Sequence, residues 1–268
     1  MTPPSFSVYG IATPLLYPGD DIAERLLEAV ARSGAGEFKT GDVLAVAESA
    51  LATAEGRVVN LADIEPSEEA LRLARDYRMD ARLAEVVLRE SDRVVGGIPG
   101  FLLCMKNGTL LPNAGIDASN APAGSVVLLP LDPDASAARI RSAISERTGA
   151  DLGVIVIDSR THAMRLGCSG VAIGCSGIPS VIDERGRKDL FGRELQVTKR
   201  AVADCIASAA ELVMGEADEC VPAAVVRGTG LPIGDYTGVA TIDASECLFM
   251  GVALHADPSF LVDSKREP

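Results

Sequence analysis

Apolar residues recur at helical spacing between Asp20 and Gly34. Ile22, Leu26, Leu27 and Val30 share one face, Asp20 and Asp21 stand where a helix welcomes negative charge, and Gly34 supplies a stop. The short apolar run Asp42 to Ala47 follows a glycine and predicts a buried strand. Ser67 to Tyr77 and Asp80 to Arg89 open on capping residues and predict two helices. Phe101 to Leu111 carries Asn107-Gly108 between apolar flanks, the strongest short-range hairpin signal, and the hairpin leads into Asn113. A helix is expected from Asp134 to about Glu146, a strand over Leu152 to Ile157 and another over Val171 to Cys175. The longest helix is expected from about Thr198 to Met214. It would bury Val202, Ile206, Ala209, Ala210 and Val213 and end at Gly215, before a strand from Ala223 to Val226.

Helices and strands are mixed, with at least one antiparallel hairpin, so the class is α+β, or loosely mixed α/β, without a regular βαβ alternation. No linker, repeat or low-complexity tract divides the 268 residues, and one catalytic unit is expected, with the polar stretch Asp263 to Pro268 as a frayed tail. Apolar residues make up 47% and charged residues 24%, a composition that folds. No apolar run approaches the length of a membrane span, and Met1 to Tyr9 lacks the features of a secretion signal, so a cytoplasmic protein is expected. The six cysteines form no CxxC pair, which argues for reduced thiols and against a zinc cage.

A net charge of −13 excludes a broad nucleic-acid footprint. Phosphates can still bind through divalent cations, helix N-termini or a local arginine cluster. Three places offer oxygen ligands. The loop Asn113 to Asn120 presents Asp117, Ser119 and Asn120 among small residues, although an Asx-turn bonding its own backbone explains the same pattern. Asp158-Ser159 is expected at the end of an apolar strand, where ligands of open sheets bind, or as a plain turn cap. Glu216 follows the stop of the longest helix and is either a third carboxylate of the site or a solvated one. The run from Arg185 to Glu194, with Arg187 and Arg193, is the densest basic cluster and is either a dock for an anion or a charged loop. No nucleophile accompanies His162 or His255, so triad chemistry is not expected.

In order along the chain, NAGIDASN, the strand ending in Asp-Ser, VAIGCSG, GRKDLFGREL, the segment Ala201 to Glu216 and VPAAVVRG resemble the coenzyme F420-0:γ-glutamyl ligase family. Pro14-Leu-Leu16 with Gly19-Asp-Asp21, and Ala54-Glu-Gly-Arg57, belong to the same resemblance, which spans roughly residues 10 to 230. It implies an intertwined homodimer of α+β subunits that binds a guanine nucleotide, GTP, and two divalent cations, Mg²⁺ or Mn²⁺, with K⁺ a further candidate. The implied substrates are L-glutamate and F420-0, joined through an acyl phosphate. Carried residue by residue, Asp117 and Asp158 resemble ligands of the first cation, and Ser159 and Glu216 ligands of the second. Ala12, Thr13, Pro14, Leu15, Ser49, Thr53, Asn120, Met214 and Gly215 resemble nucleotide-contacting positions, Arg165 a catalytic one, and Arg185, Arg187 and Arg193 contacts to the acceptor.

Two departures stand out. Thr53 occupies a position where the family usually has lysine, and Ser159 to Arg165 reads differently from the family's segment. Threonine cannot meet a phosphate as a point charge. A pterin acceptor, or a homologue that binds nucleotide without turnover, therefore stands beside F420-0 ligation as an expectation.

Overall fold

The computed structural model describes residues 4–253. Its elements are β1 (Ser7–Ile11), α1 (Ile22–Val30), β2 (Val43–Ala47), α2 (Glu48–Ala54), β3 (Val58–Asn60), α3 (Glu68–Tyr77), α4 (Ala81–Glu90), β4 (Arg93–Ile98), β5 (Phe101–Lys106) and β6 (Thr109–Pro112). They continue with β7 (Ser125–Val127), α5 (Pro133–Thr148), β8 (Gly153–Thr161), β9 (Cys168–Ser176), β10 (Ile182–Asp183), β11 (Lys199–Arg200), α6 (Val202–Met214), β12 (Ala223–Arg227) and α7 (Leu248–Ala253). The class is α+β, as expected.

A five-stranded sheet in the order β1-β12-β2-β8-β9 forms the centre. Only β2 and β8 run parallel; the other neighbours are antiparallel. Both faces are covered, which explains why β2 reads as a continuous apolar run. Leu44 and Val46 point toward Leu26 of α1 and Ile140 and Ile144 of α5, while Val43 and Ala45 point toward Ile206 and Ala210 of α6. A side chain such as Leu44, wholly excluded from solvent, stabilises the fold by about 1.5–3 kcal/mol. A second layer packs α3 and α4 on the sheet β4-β5-β6 around Leu73, Val87, Leu102 and Cys104.

Local signals account for the boundaries. Asp21, Ser67, Asp80 and Asp132 each accept a backbone N–H at a helix start, and Gly149 closes α5 at φ 73°. Asn107 and Gly108 both take positive φ, 49° and 74°, as a two-residue hairpin turn requires.

Three expectations need correction. The strand expected to stop at Ile157 continues to Thr161, so Asp158 and Ser159 lie inside it, held by pairing with Val171 and Gly170 of β9. The helix expected from Thr198 begins at Val202, because Lys199 and Arg200 pair with Asp183 and Ile182. Val213 faces outward and is exposed. All six cysteines are free thiols, and among the described residues no helix is long and apolar enough to cross a membrane. The expected tail, 263–268, and His255 lie outside the described residues.

Candidate functional site

The parallel pair β2 and β8 creates the site. Their last register pair is Ala47 with Ile157. Beyond it β2 turns at once into α2, placing Glu48 at the corner, while β8 continues through Asp158 along β9 alone. Two neighbouring strands thus release a carboxylate at the same carboxyl edge, where open sheets bind ligands.

A third carboxylate arrives from the loop after β6. Asn113, Ala114, Gly115 and Asn120 take left-handed φ of 48°, 56°, 76° and 53°, winding the chain tightly. Asn113 Oδ1 accepts the Leu102 N–H at 2.8 Å and pins the loop to the hairpin. Asp117 exchanges both backbone hydrogen bonds with Val127, and its carboxylate accepts the N–H of Ser119 at 2.9 Å and the Ser119 hydroxyl. The Asx-turn therefore forms, and the same residue lines the cavity. The end of α6 contributes Glu211 and, past the stop, Glu216. Gly215 sits at φ 77° and ψ −180°, a backbone region open essentially to glycine alone, so only glycine makes this turn.

These elements enclose a cavity of about 1050 Å³. One wall is apolar and formed largely by Val95, Ile98, Phe101 and Leu103 of the β4-β5 layer. The same lining carries Glu48, Asp117, Asp158, Glu211, Glu216, Asp218 and Glu219, and the one basic residue among the described lining is Arg160. Arg160 Nε donates to Asp158 Oδ2 at 2.8 Å.

Three of these carboxyls are held above their ordinary range, chiefly by burial and further by neighbouring acids. Glu48 borders the cavity yet is packed by protein around its carboxyl. Loss of solvent, then the Asp158 and, less, the Asp117 charges push it well above the usual carboxylate range, against its own and Ser49's N–H groups. Asp158 is also raised, chiefly by burial and further by Asp117, in spite of Arg160. Glu211 is pushed up to about 7 by burial and by the Glu216 carboxyl, with the Ser159 hydroxyl opposing. Its Oε1 is buried and has no hydrogen-bond partner. Carboxylates held in this way suit hard cations, since an orphaned oxygen and mutually repelling charges are both relieved by Mg²⁺ or Mn²⁺. Among the described residues no three such side chains already close on one point, so substrate oxygens would have to complete a coordination sphere.

Of the residues expected from sequence, Thr13, Pro14, Leu15, Ser49, Thr53, Asp117, Asn120, Asp158, Ser159, Met214, Gly215 and Glu216 all line this cavity. Ala12 lies beside it and faces outward. Arg165 is exposed in the turn between β8 and β9, away from the lining. Arg185, Arg187 and Arg193 sit on the excursion between β10 and β11, also outside it; Arg185 pairs with Asp183 and Arg187 with Glu184. Glu48, Arg160 and Glu211 were missed. Glu48 carries the same signal as Asp158, an acid released by an apolar strand.

A model of the family described as F420-0:Gamma-glutamyl ligase matches residues 10–228. The chain is 47% identical over 212 residues to the coenzyme F420:L-glutamate ligase of Methanopyrus kandleri, covering 79% of this chain and 82% of that one. It is 45% identical over 223 residues to that of Archaeoglobus fulgidus, covering 83% and 86%. Likeness to that of Methanothermobacter thermautotrophicus is 41% over 216 residues, covering 80% and 85%.

Proposed function

Since this chain belongs to the F420-0:gamma-glutamyl ligase family, and is a ligase, we propose that it joins the amine of L-glutamate to the carboxylate of F420-0, driven by GTP through an acyl phosphate. The observation that supports this reading is that acids from β8, α2, the Asp117 loop and the end of α6 line one cavity together with the apolar residues Val95, Ile98, Phe101 and Leu103. In the first step the bond between the β- and γ-phosphates breaks, and the γ-phosphoryl group forms a mixed anhydride with the acceptor carboxylate. The glutamate ammonium gives up one proton to become the attacking amine, which adds to the acyl carbon; phosphate leaves, a second proton passes to solvent, and the amide nitrogen keeps the third.

Asp117 and Asp158 would hold a first divalent cation and Ser159 and Glu216 a second. Bound there, cations neutralise the triphosphate and the charge that develops during transfer. The chain's own groups do the rest. Asp117 is held in place by Ser119 and by its backbone pairing with Val127, so its carboxylate is oriented before any ligand arrives. Thr13, Pro14, Leu15 and Asn120 line the cavity, and the nucleotide would lie against them. Val95, Ile98, Phe101 and Leu103 offer an apolar surface to the flat ring system of a deazaflavin and keep water from the anhydride.

The intertwined homodimer belongs to the same proposal. The excursion between β10 and β11 exposes Leu190, Phe191 and Val197, which supports a second copy covering it. Arg185, Arg187 and Arg193 would reach an acceptor through that pairing.

Purified protein with Mn²⁺, GTP, L-glutamate and F420-0 should yield one γ-glutamyl amide per GDP and phosphate released, read by mass spectrometry. Absence of product with Mg²⁺ and Mn²⁺, with and without K⁺, overturns the proposal. A pterin added in competition tests the other acceptor. Thr53 on the cavity wall favours one second reading, a homologue that binds nucleotide without turnover; there, Thr53→Lys would restore activity.

A further inference from the structure

Arg160 stands alone in the cavity. Among the described lining residues it is the one cation alongside seven carboxylates, and Thr53 of the same lining brings only a hydroxyl. Its side chain and that of Asp158 are each 13% exposed, so the pair is largely withdrawn from bulk solvent. Both residues lie on β8 two positions apart, on the same side of the strand, and Arg160 therefore meets Asp158 without any change of backbone.

The contact uses little of what a guanidinium offers. Nε donates to Asp158 Oδ2, and among the described residues the two terminal nitrogens donate to no protein group. A fork of five N–H donors matches a carboxylate or phosphate through two parallel bonds. Here the stronger arrangement is unmade, and the unused donors belong to a residue of the cavity lining. Several rotatable bonds separate them from the strand, so the guanidinium can move by ångströms while β8 stays still.

Asp158 is also the carboxylate for which a divalent cation and Arg160 compete. We propose that Arg160 is an internal counter-ion: it holds Asp158 while the cavity is empty, and when a divalent cation takes that carboxylate it turns its fork to a phosphate oxyanion of the nucleotide. This rests on the cation and nucleotide reading given above. The exchange keeps the charge of the acid wall compensated in both states. It also makes cation and nucleotide binding mutually favourable, because each removes a competitor of the other.

Two binding measurements on the full chain test it. Mn²⁺ alone is titrated by electron paramagnetic resonance, and a non-hydrolysable GTP analogue is titrated calorimetrically at saturating Mn²⁺. Arg160→Met should tighten Mn²⁺ by about threefold or more and weaken the analogue by about tenfold or more, the scale of a lost charge-assisted pair. Arg160→Gln should shift both in the same opposite directions, and Arg160→Lys should recover part of the analogue's affinity. Unchanged affinities in Met and Gln variants that melt like the parent overturn the counter-ion role, as does a parallel weakening of both ligands. If the parent chain itself binds Mn²⁺ but not the analogue, the nucleotide reading fails and the inference with it. Normal binding of both by parent and variants leaves that reading intact and removes this inference alone.

Discussion

Gly170 of β9 lies so close under Ala207 of α6 that a Cβ on it would overlap the Ala207 carbonyl, and Ser208 Oγ donates to the Gly170 carbonyl at 2.9 Å. The helix that ends in the acids of the cavity is thus seated directly on the sheet's backbone. Gly170→Ala must push α6 outward, at about 1–3 kcal/mol for an overpacked contact. Glu211 and Glu216 move with it. Thermal melting should show the loss of stability, and turnover per folded molecule should fall as well; unchanged kcat in a destabilised variant would show that the seating does not position the site.

Asp117→Asn keeps side-chain volume and removes one charge from the acid wall. Melting temperature without cation should hold or rise, because a repelling carboxylate is gone. The stabilisation expected of the parent on adding Mn²⁺, about 2.7 kcal/mol at a hundredfold excess over Kd, should largely vanish, and turnover with it. A metal-titrated assay that finds near-parental rates would remove Asp117 from the cation site.

Glu85 joins α3 to α4 by accepting the Ser67 N–H at 2.9 Å, the Ser67 hydroxyl at 2.6 Å, and Arg89 Nε at 2.8 Å. The Ser67 hydroxyl above all, then its N–H, lowers the Glu85 carboxyl from 4.5 to about 2. Between those values the unfolded chain binds more protons than the folded one, so this stabilisation is complete above the unfolded value and lost as pH falls toward 2. Glu85→Gln should cost about 1–2 kcal/mol at neutral pH and flatten the acid limb of the stability curve, measured by urea unfolding from pH 6 to pH 2.5.

Arg227 of β12 grips Asp42 with Nε and one terminal nitrogen, each at 2.8 Å, and donates further to the carbonyls of Ala35 and Glu37. The Asp42 side chain is 1% exposed. Arg227→Leu leaves a buried carboxylate with the Lys39 N–H for company, a loss of about 3–5 kcal/mol. Replacing both residues by apolar ones should recover part of that loss in a denaturant titration.

Legibility from sequence followed the range of the interactions. The Asn107-Gly108 hairpin and the capped helices were readable because a few adjacent residues decide them. α2 was not, since the apolar strand runs straight into ESALATA with no capping side chain at Ala47, and with it Glu48 was overlooked. The strand order was equally hidden: β12 inserts between β1 and β2 by pairing that no local pattern encodes. Asp117 and Asp158 were legible as a pair, since each leaves an apolar segment and the family resemblance joins them, and both line one cavity; which other acids join them depends on packing of distant segments. Arg160 escaped because its significance lies in the absence of other cations around it.

That insertion governs when the enzyme can come into being. As the chain leaves the ribosome, β1 and β2 emerge early but cannot become neighbours through β12 until Ala223–Arg227 has been synthesised. Most of the polypeptide must therefore wait with its central seam open, exposing apolar strands to neighbours and chaperones. Nascent fragments released before that point lack the strand that closes the sheet, and so carry β1 and β2 as unpaired edges.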